Sequence, residues 1–362
     1  MGSRVRYGLI GTGMMGLEHI QNLRVTPGAE LTAIYDPVET SLGWAKVAAQ
    51  GWSEPKVFDS GEALARSGDV DAVIIASPNH THRDVLAPIM DAPVHILCEK
   101  PLATTVADAR WIADAAASRD HAFCTAMEYR FMPPAARFIE QVHGGRVGRL
   151  QMLSIREHRF PFLPKVGDWN RFSRNTGGTM VEKCCHFFDL MRLIVRSEAV
   201  RVYCSGAMDV NHQDERYGGE KPDIIDNSYT VVDFENGVRA MLDLSMFADG
   251  AENQEEITAV GDQARLDVLI PEGTLVFSPR VGFMNPKKVE REHVPVDETA
   301  LAAGQHHGST YYQHQYFNAL ARGEGEVLVT AEDGLRAVEI GAAAELSARE
   351  KRVVTLEEVR AV

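Results

Sequence analysis

The first part of the chain alternates between short apolar runs and longer amphipathic segments. The apolar runs are Val5 to Ile10, Leu31 to Tyr35, and the strand-like cores of DAVIIASPNHTH (71–82) and PVHILCEKP (93–101). Strands separated by helical segments are typical of βαβ units, whose strands lie parallel in one sheet. The pattern therefore predicts an α/β domain over residues 1–125, a doubly wound parallel sheet of the Rossmann type.

The alternation stops after about residue 125, and strand-like runs then follow one another. These runs cover residues 150–156, 200–205, 228–234, 238–244, 257–260 and 266–270. Glu235-Asn236-Gly237, between two of them, has the composition of a hairpin turn. Consecutive strands predict an α+β domain over residues 126–362 with a large, mostly antiparallel, open-faced sheet. A helix at about 330–350 is expected to pack back on the first domain.

Composition excludes several classes of partner. The chain has 362 residues, 45% of them apolar, and its 51 acidic and 37 basic side chains give a formal charge of −14. That charge repels phosphate backbones and anionic lipids, so we expect neither nucleic acid nor a membrane as a partner. No apolar run reaches the ~18 residues of a membrane span. MGSRVRYGLIGTG enters a strand pattern without an export signal, which predicts a cytoplasmic protein.

GTGMMG, residues 11–16, directly follows the first strand and opens a helical segment. In this context Gly11 makes the tight turn, Gly13 lets the backbone approach a pyrophosphate, and Gly16 allows close helix packing. Asp36, at the end of the second strand, can accept hydrogen bonds from an adenosine ribose, which favours NAD over NADP. The alternative is a glycine-rich turn of another doubly wound domain, in which Asp36 caps a loop.

Ligands of open parallel sheets bind at the carboxyl ends of the strands. Lys100 follows such an end, and between Glu99 and Pro101 we expect its ammonium to point into the crevice rather than the core. The candidate cofactor-binding residues are Gly11, Thr12, Gly13, Met14, Met15, Gly16, Asp36, Ser77, Pro78, Asn79, His82, Glu99, Lys100 and Glu128.

These motifs resemble those of the Gfo/Idh/MocA oxidoreductases, the family of glucose–fructose oxidoreductase and inositol dehydrogenase. The likeness rests on GTGMMG, Asp36, SPNHTH (77–82) and Glu99-Lys100-Pro101, and it extends to TAEDGLRAVEIGAAAELSARE at 330–350. It implies that Lys100 contacts the nicotinamide ribose and the substrate hydroxyl, and that the Lys100–Pro101 bond is cis. In this family the large sheet is commonly an oligomer interface, which implies a homo-oligomer, a dimer or tetramer. A monomeric two-layer sandwich is the alternative.

Two long polar connections, 158–178 and 209–226, need a function, since structureless loops of this length are usually functional or disordered. In the first, the ring of Trp169 can cover one face of a sugar while Asn170 and Arg171 bind hydroxyls or an anionic substituent. The alternative is a solvated loop with a few packed aromatic rings. The candidate substrate-binding residues are Tyr129, Arg130, Arg159, Lys165, Trp169, Asn170, Arg171, Lys183 and Asp189.

The segment GGTMVEKCCHFFDLMRL (177–193) concentrates acid/base groups. As a single helix it puts Glu182, His186 and Asp189 on one face, while Cys184 and Cys185 turn away from that face. A zinc site needs three or four ligands that converge on the ion. Adjacent side chains of one helix point in different directions and cannot do this, so no metal is expected. The cysteines are interpreted as reduced core residues. The histidines at 293, 306, 307 and 314 show no coherent spacing and receive no role.

Oxidation of an alcohol requires a base for the hydroxyl proton while hydride leaves the carbon. His186 can be that base, with Glu182 or Asp189 orienting it and Lys100 stabilising the alkoxide. The resembling family uses the lysine of Glu-Lys-Pro and an Asp-x-x-x-His pair in these roles. Here Glu182 replaces the aspartate, and Lys183 occupies a position that is commonly uncharged. The candidate catalytic residues are Lys100, Glu182, Lys183 and His186.

The leading hypothesis is an NAD-dependent oxidoreductase that acts on a ring hydroxyl of a sugar, glycoside or cyclitol. Some members of the resembling family are glycosidases that oxidise the sugar transiently, eliminate the glycosidic bond, add water and return the hydride. The charges of Glu182 and Lys183, together with Arg159, Lys165 and Arg171, keep this alternative open for an anionic glycoside, such as a sulfonated one. A non-catalytic dinucleotide-binding regulator is disfavoured because both Lys100 and His186 are present.

Overall fold

The computed structural model describes residues 4–361, which form two compact units. The first unit contains residues 4–131, 165–169 and 297–338, and the second contains residues 132–164, 170–296 and 339–361. Within residues 4–361, every helix is too short or too polar to span a lipid bilayer.

The described residues form strands, α-helices and short 3₁₀ turns. The strands are β1 Val5–Ile10, β2 Ala29–Tyr35, β3 Lys56–Val57, β4 Ala72–Ile75, β5 His95–Cys98, β6 Phe123–Thr125, β7 Leu150–His158, β8 Ala199–Ala207, β9 Asn227–Phe234, β10 Arg239–Ser245, β11 Glu255–Gly261, β12 Ala264–Ile270, β13 Thr274–Pro279, β14 Glu290–His293 and β15 Val354–Thr355. The helices are α1 Met14–Val25, α2 Glu39–Ala49, α3 Gly61–Ala65, α4 His82–Leu86, α5 Val106–Ala116, α6 Pro133–His143, α7 Ser173–Thr176, α8 Thr179–Glu182, α9 Cys185–Val195, α10 Glu298–Ala303, α11 Ser309–Ala321, α12 Ala331–Glu350 and α13 Leu356–Arg360. The 3₁₀ turns are Asn79–Thr81, Ala87–Ile89, Glu128–Phe131, Val166–Arg171 and His306–Gly308.

The sheet of the first unit has six parallel strands in the order β3-β2-β1-β4-β5-β6. The chain progresses from β1 to one edge and then from β4 to the other. In doubly wound sheets, ligands bind outside the carboxyl ends of the strands at this switch point. The predicted α/β fold is thus confirmed, with β3 and β6 added to the four strands that the apolar runs predict.

The core of the first unit is built on its central strands. Leu9, Ile34 and Ile74 are fully buried, and they belong to one cluster with Phe317 of α11. The Tyr7 hydroxyl also donates a hydrogen bond to Asn318 Oδ1 at 3.2 Å. Helix α11 therefore completes the Rossmann core although it lies far downstream, a placement that the sequence pattern does not predict.

The sheet of the second unit has nine strands in the order β14-β13-β12-β11-β7-β10-β9-β8-β15. All neighbouring pairs are antiparallel except β7 and β10, which are parallel. This confirms the predicted large, mostly antiparallel sheet, and Gly237, with a φ of +85°, lies in the predicted hairpin. The sequence pattern does not predict β13, β14 or β15, because short or polar strands leave no apolar run.

One face of the second sheet is buried and the other is exposed. Val232, Leu242 and Ile155 are fully buried on the inner face of β9, β10 and β7. On the outer face Tyr203, Val231 and Met241 lie in one row across β8, β9 and β10, and they are 44%, 40% and 37% exposed. The open face thus carries a row of apolar side chains.

Candidate active site

The turn after β1 depends on its three glycines for different reasons. Gly11 has a φ of +93°, and a Cβ there would lie 2.5 Å from the backbone of Ala76 and Ser77. A Cβ on Gly16 would lie 2.4 Å from the Gly11 carbonyl oxygen, whereas a Cβ on Gly13 would meet nothing within 4 Å. The turn is therefore closed on the sheet side and open at Gly13, where the first N–H groups of α1 suit a pyrophosphate. These residues fit a dinucleotide.

Asp36, at the end of β2, is already bonded to its own loop. Its Oδ2 accepts hydrogen bonds from the Thr12 backbone N–H (2.7 Å) and hydroxyl (3.1 Å), and its Oδ1 accepts one from the Val38 N–H (2.8 Å). Asp36 therefore does cap this loop. A carboxylate has about four acceptor sites, so Asp36 can still accept a bond from a ribose hydroxyl.

The loops after β4 and β5 are joined by His82. Its ring nitrogens lie 3.1 Å from the Ser77 carbonyl and 3.0 Å from the Pro101 carbonyl, and burial lowers its pKa. His82 thus supports these two loops, and its contact with the cofactor stays a prediction. Asn79 differs from His82, because its buried amide nitrogen has no hydrogen-bond partner among residues 4–361.

Glu99 and Lys100 lie at the carboxyl end of β5, and the Lys100–Pro101 bond is cis, as the resemblance implies. Glu99 Oε1 lies 3.1 Å from His19 Nε2, and its Oε2 accepts the Lys100 N–H at 3.1 Å. Burial raises the pKa of Glu99, but the bond to His19, the charges of His19 and Lys100 and the bond from the Lys100 N–H together outweigh burial and hold the pKa below its usual value. The Lys100 loop is therefore held by an ionised carboxylate.

Sequence reasoning missed two histidines behind Glu99. His19 of α1 is fully buried, and its Nδ1 lies 2.9 Å from Nε2 of His314 on α11. Burial holds the pKa of His314 well below its usual value, so this ring is neutral. The position of His19, one helical turn after Gly16, could have indicated that it lies near the cofactor turn. No local sequence feature indicates a role for His314.

Glu128 and Tyr129 are both buried in the turn Glu128–Phe131. Burial, and then repulsion from Glu99, raise the pKa of Glu128 to about 7. Its carboxyl group therefore carries a proton part of the time at neutral pH. The Tyr129 ring lies 6.4 Å from the ring of His306, measured between centroids.

The predicted substrate loop is divided between the units. In the first unit, the Lys165 ammonium lies 4.6 Å from the centre of the Trp169 ring, and His80 meets that ring edge-on with centroids 5.9 Å apart. Trp169 thus lies beside the loop that carries the predicted cofactor residues 77–82. Arg130 is tied to the start of α12, since it pairs with Asp333 at 3.3 Å.

In the second unit, Asn170 and Arg171 are buried. Asn170 Nδ2 donates to the Leu163 carbonyl at 3.1 Å, and its Oδ1 has no hydrogen-bond partner among the described residues. The Arg171 Nε donates to Glu215 at 3.0 Å. Glu215 lies in the second long connection, so an ion pair joins the two polar connections. The carboxylate of Glu215 balances the positive charge of Arg171.

The segment that carries the predicted base is not one continuous helix. It forms α8, which ends at Glu182, and α9, which begins at Cys185. The Thr179 carbonyl accepts the N–H groups of both Lys183 and Cys184, so the chain turns between the two helices. The expectation of one continuous helix through this segment is therefore wrong, whereas the shared face of Glu182 and His186 stays a prediction. His186 and Asp189 still share α9, and both are buried.

Cys184 and Cys185 are fully buried and reduced, as expected of small core residues. Burial raises the pKa of the Cys184 thiol well above its usual value, which leaves it unreactive. The apolar stripe predicted for this segment is also buried, with Phe187, Leu190 and Met191 at most 1% exposed. Among residues 4–361 no group of three or more metal-ligating side chains comes together.

Lys183 lies in the turn between α8 and α9, and its Nζ lies 3.0 Å from Oε1 of Glu157 on β7. Nη1 of Arg159 lies 3.5 Å from the same oxygen. Glu255 of β11 is directly opposite Glu157 in the sheet. Sequence reasoning missed both glutamates, although their period-two phase with Ile155 and with the apolar residues of β11 was a signal that they face the core.

The first unit has the topology and the glycine turn of a dinucleotide-binding domain, with a lysine at a central strand end. The second unit contributes a large sheet and a buried histidine segment. These features are those of a nicotinamide-dependent oxidoreductase with two domains.

Comparison with protein families places the chain more narrowly. Residues 5–126 match the model of the oxidoreductase family, NAD-binding Rossmann fold, and residues 139–356 match that family's C-terminal alpha/beta domain. The chain belongs to the Gfo/Idh/MocA oxidoreductase family. It is an NAD-dependent enzyme.

Individual relatives are similar along the whole chain. A myo-inositol 2-dehydrogenase of Thermotoga maritima is 28% identical over 356 residues, which cover 98% of this chain and 99% of the relative. A scyllo-inositol 2-dehydrogenase (NAD(+)) of Bacillus subtilis is 25% identical and covers 100% of this chain and 99% of its own length. The crystal structure of a probable dehydrogenase from Thermotoga maritima superposes with a TM-score of 0.78 at 27% identity, covering 98% of this chain and 100% of that one.

We expect NADH to bind more tightly than NADPH, because the Asp36 carboxylate repels a 2′-phosphate and no basic residue follows it in Pro37-Val38-Glu39. Replacing the carboxylate in Asp36→Ser should shift the preference towards NADPH by ~1–3 kcal/mol. Fluorescence titration with both reduced cofactors measures the ratio. Asp84→Ser, which removes an exposed acid of α4, is the control, and tighter NADPH binding by the wild type would contradict the role of Asp36.

Proposed function

We propose that the protein oxidises a ring hydroxyl of a sugar, glycoside or cyclitol. The observation that carries the proposal is Lys100, which lies at the carboxyl end of a central strand of the NAD-binding sheet, in a loop held by the ionised Glu99. An ammonium at this place suits a hydroxyl that becomes an alkoxide. The inositol dehydrogenases similar to this chain act, by their names, on cyclitols, which supports a polyhydroxylated ring as substrate.

The proposed mechanism divides two tasks between two side chains. When bound, NAD supplies the acceptor for the hydride that leaves the carbinol carbon. His186 takes the hydroxyl proton as general base, and Asp189, three residues later on α9, is a candidate to fix its tautomer. Lys100 stabilises the negative charge on the oxygen. Removal of the proton by a positioned base is worth ~10²–10⁴ in rate.

His186→Ala and Lys100→Ala should each slow hydride transfer by ~10²-fold or more, because each removes one of these two tasks. NADH affinity should stay within a few-fold. Single-turnover absorbance at 340 nm measures the rate. Cys184→Ser and Cys185→Ser are matched controls in the same segment and should retain most of the turnover. A near-normal rate in His186→Ala or Lys100→Ala would remove that residue from the mechanism.

A second candidate is an NAD-dependent glycosidase. The observation that favours it is the charged cluster of Lys183, Glu157 and Arg159, which offers charged groups in addition to the base and the alkoxide-stabilising lysine named above. In that reaction, oxidation of the ring hydroxyl acidifies the neighbouring C–H, a base removes this proton, and the glycosidic oxygen leaves with a proton from an acid. Water then adds to the alkene, and the carbonyl is reduced again. An anionic glycoside would suit Lys165 and Arg159.

The two candidates differ in what they release. Mixed with catalytic NAD and a chromogenic glycoside in deuterated water, a glycosidase frees the aglycone without net NADH and incorporates deuterium beside the oxidised carbon. A dehydrogenase accumulates NADH in proportion to the product and frees no aglycone. We expect NADH accumulation. Release of aglycone from neutral or anionic glycosides, with no net NADH, would replace the dehydrogenase by the glycosidase.

We also propose that the protein is a homo-oligomer and works in the cytosol. The row formed by Tyr203, Val231 and Met241 is the surface we assign to a second copy, because an apolar row on an open sheet is stabilised when another apolar face covers it. The five cysteines are all buried and reduced, which suits a reducing compartment.

Light scattering after size-exclusion chromatography should show a dimer or tetramer for the wild type. Val231→Lys should lower the mass towards that of the monomer, since it places a charge at the centre of the row. Val47→Lys, on helix α2 at 70% exposure, is the matched control. A monomeric wild type would contradict the assigned interface.

A further inference from the structure

Two glutamates oppose each other inside the second unit. Glu157 of β7 and Glu255 of β11 are directly paired in the antiparallel register, and they are 0% and 2% exposed. Like charges at opposed positions destabilise a sheet, and two buried carboxylates cannot both ionise cheaply. The pair is therefore expected to share one proton, as carboxyl dyads do.

The surroundings decide which glutamate keeps the proton. Lys183 Nζ and Arg159 Nη1 both approach Glu157 Oε1, at 3.0 and 3.5 Å, so two cations face this carboxylate oxygen. Glu255 accepts a hydrogen bond from a neutral donor, Gln254 Nε2, at 2.7 Å. Burial, and then repulsion from Glu157, raise the pKa of Glu255 to about 8. At neutral pH Glu255 thus keeps a proton beside the ion pairs of Glu157 with Lys183 and Arg159.

We propose that Glu157 and Glu255 are positioning residues for the oxidation described above: by sharing one proton they hold the Lys183 ammonium in one place beside the segment of Glu182 and His186. The inference rests on the proposed function. The shared proton also leaves the cluster with one net positive charge, which favours the negative charge that develops on the substrate oxygen.

A purely structural role explains the cluster less well. Glu157 stands in phase with Leu153 and Ile155, and Glu255 with Ile257, so apolar side chains would fill the same positions. Desolvation offsets most of the attraction within a buried ion pair, and replacing such pairs by apolar residues is often neutral or stabilising. Charge that is kept at such positions and touches a predicted catalytic segment is better explained by chemistry.

The shared proton can be tested without a substrate. The unfolded chain ionises Glu255 near ~4.3, its ordinary value, whereas the folded chain keeps the proton until about pH 8. Wild-type stability should therefore fall, relative to Glu255→Gln, as the pH rises from 5 to 8, and the difference should stay constant above that. Thermal unfolding of both proteins across this range measures it.

Glu256→Gln is the control for this test, because Glu256 is the next residue on β11 and pairs instead with Arg156. Its Tm difference from the wild type should show no comparable trend. A wild-type minus Glu255→Gln difference that is constant from pH 5 to 8 would overturn the shared proton.

The positioning role is tested by rates on a sugar or cyclitol that the wild type oxidises. Lys183→Met and Glu157→Gln should each lower kcat by about 10-fold or more, with NADH affinity unchanged, and the double variant should lose no more than the stronger single variant. We expect the wild-type kcat to fall above about pH 8, where Glu255 loses its proton, and Glu255→Gln should lack this fall.

If the cluster only stabilised the fold, Glu255→Gln would change Tm but not the fall in kcat above about pH 8. An unchanged fall in Glu255→Gln would therefore overturn the inference. Full activity of Lys183→Met or Glu157→Gln overturns it as well. If the wild type oxidises no sugar or cyclitol while binding NADH, the proposed function fails instead, and the positioning role fails with it. The thermal measurement still reports on the shared proton in that case.

Discussion

Helix α1 can approach the first sheet only because residue 16 has no side chain. A Cβ on Gly16 would lie 2.4 Å from the carbonyl oxygen of Gly11. This approach sets where the helix begins, and thus where its first N–H groups meet an anionic ligand. It also brings His19, one turn later, to 3.1 Å from Glu99, the neighbour of Lys100. The cofactor turn and the proposed alkoxide-stabilising lysine are therefore connected through a single helix.

Both units bury carboxyl groups, and four of them are compensated in two different ways. Glu99 and Glu157 meet a histidine or a cation. Glu128 and Glu255, with pKa values raised to about 7 and about 8, keep a proton for much of the neutral range. Such groups contribute little net stability. Their concentration around the predicted functional residues is consistent with their use in proton and charge chemistry.

The sequence predicted the glycine turn, the central strands and the buried stripe of α9 because each leaves a local pattern of residue types. The prediction from sequence was wrong where it extended one helical pattern over too many residues. The segment from Glu182 to His186 has helical periodicity, yet the chain turns at Lys183, whose side chain reaches Glu157 on a neighbouring strand. A preference of a few tenths of a kcal/mol per residue for one long helix is easily overridden by such a contact.

The sequence by itself determined the two fold classes, the NAD-binding family and the chemical identity of the predicted catalytic groups, because spacing along the chain encodes turns and burial. Only the tertiary structure decided which distant segments meet: α11 in the Rossmann core, His314 behind His19, and Glu255 opposite Glu157. Periodicity tells which side of a strand or helix is buried but not what covers it. That choice depends on strand order and on the packing of each whole unit.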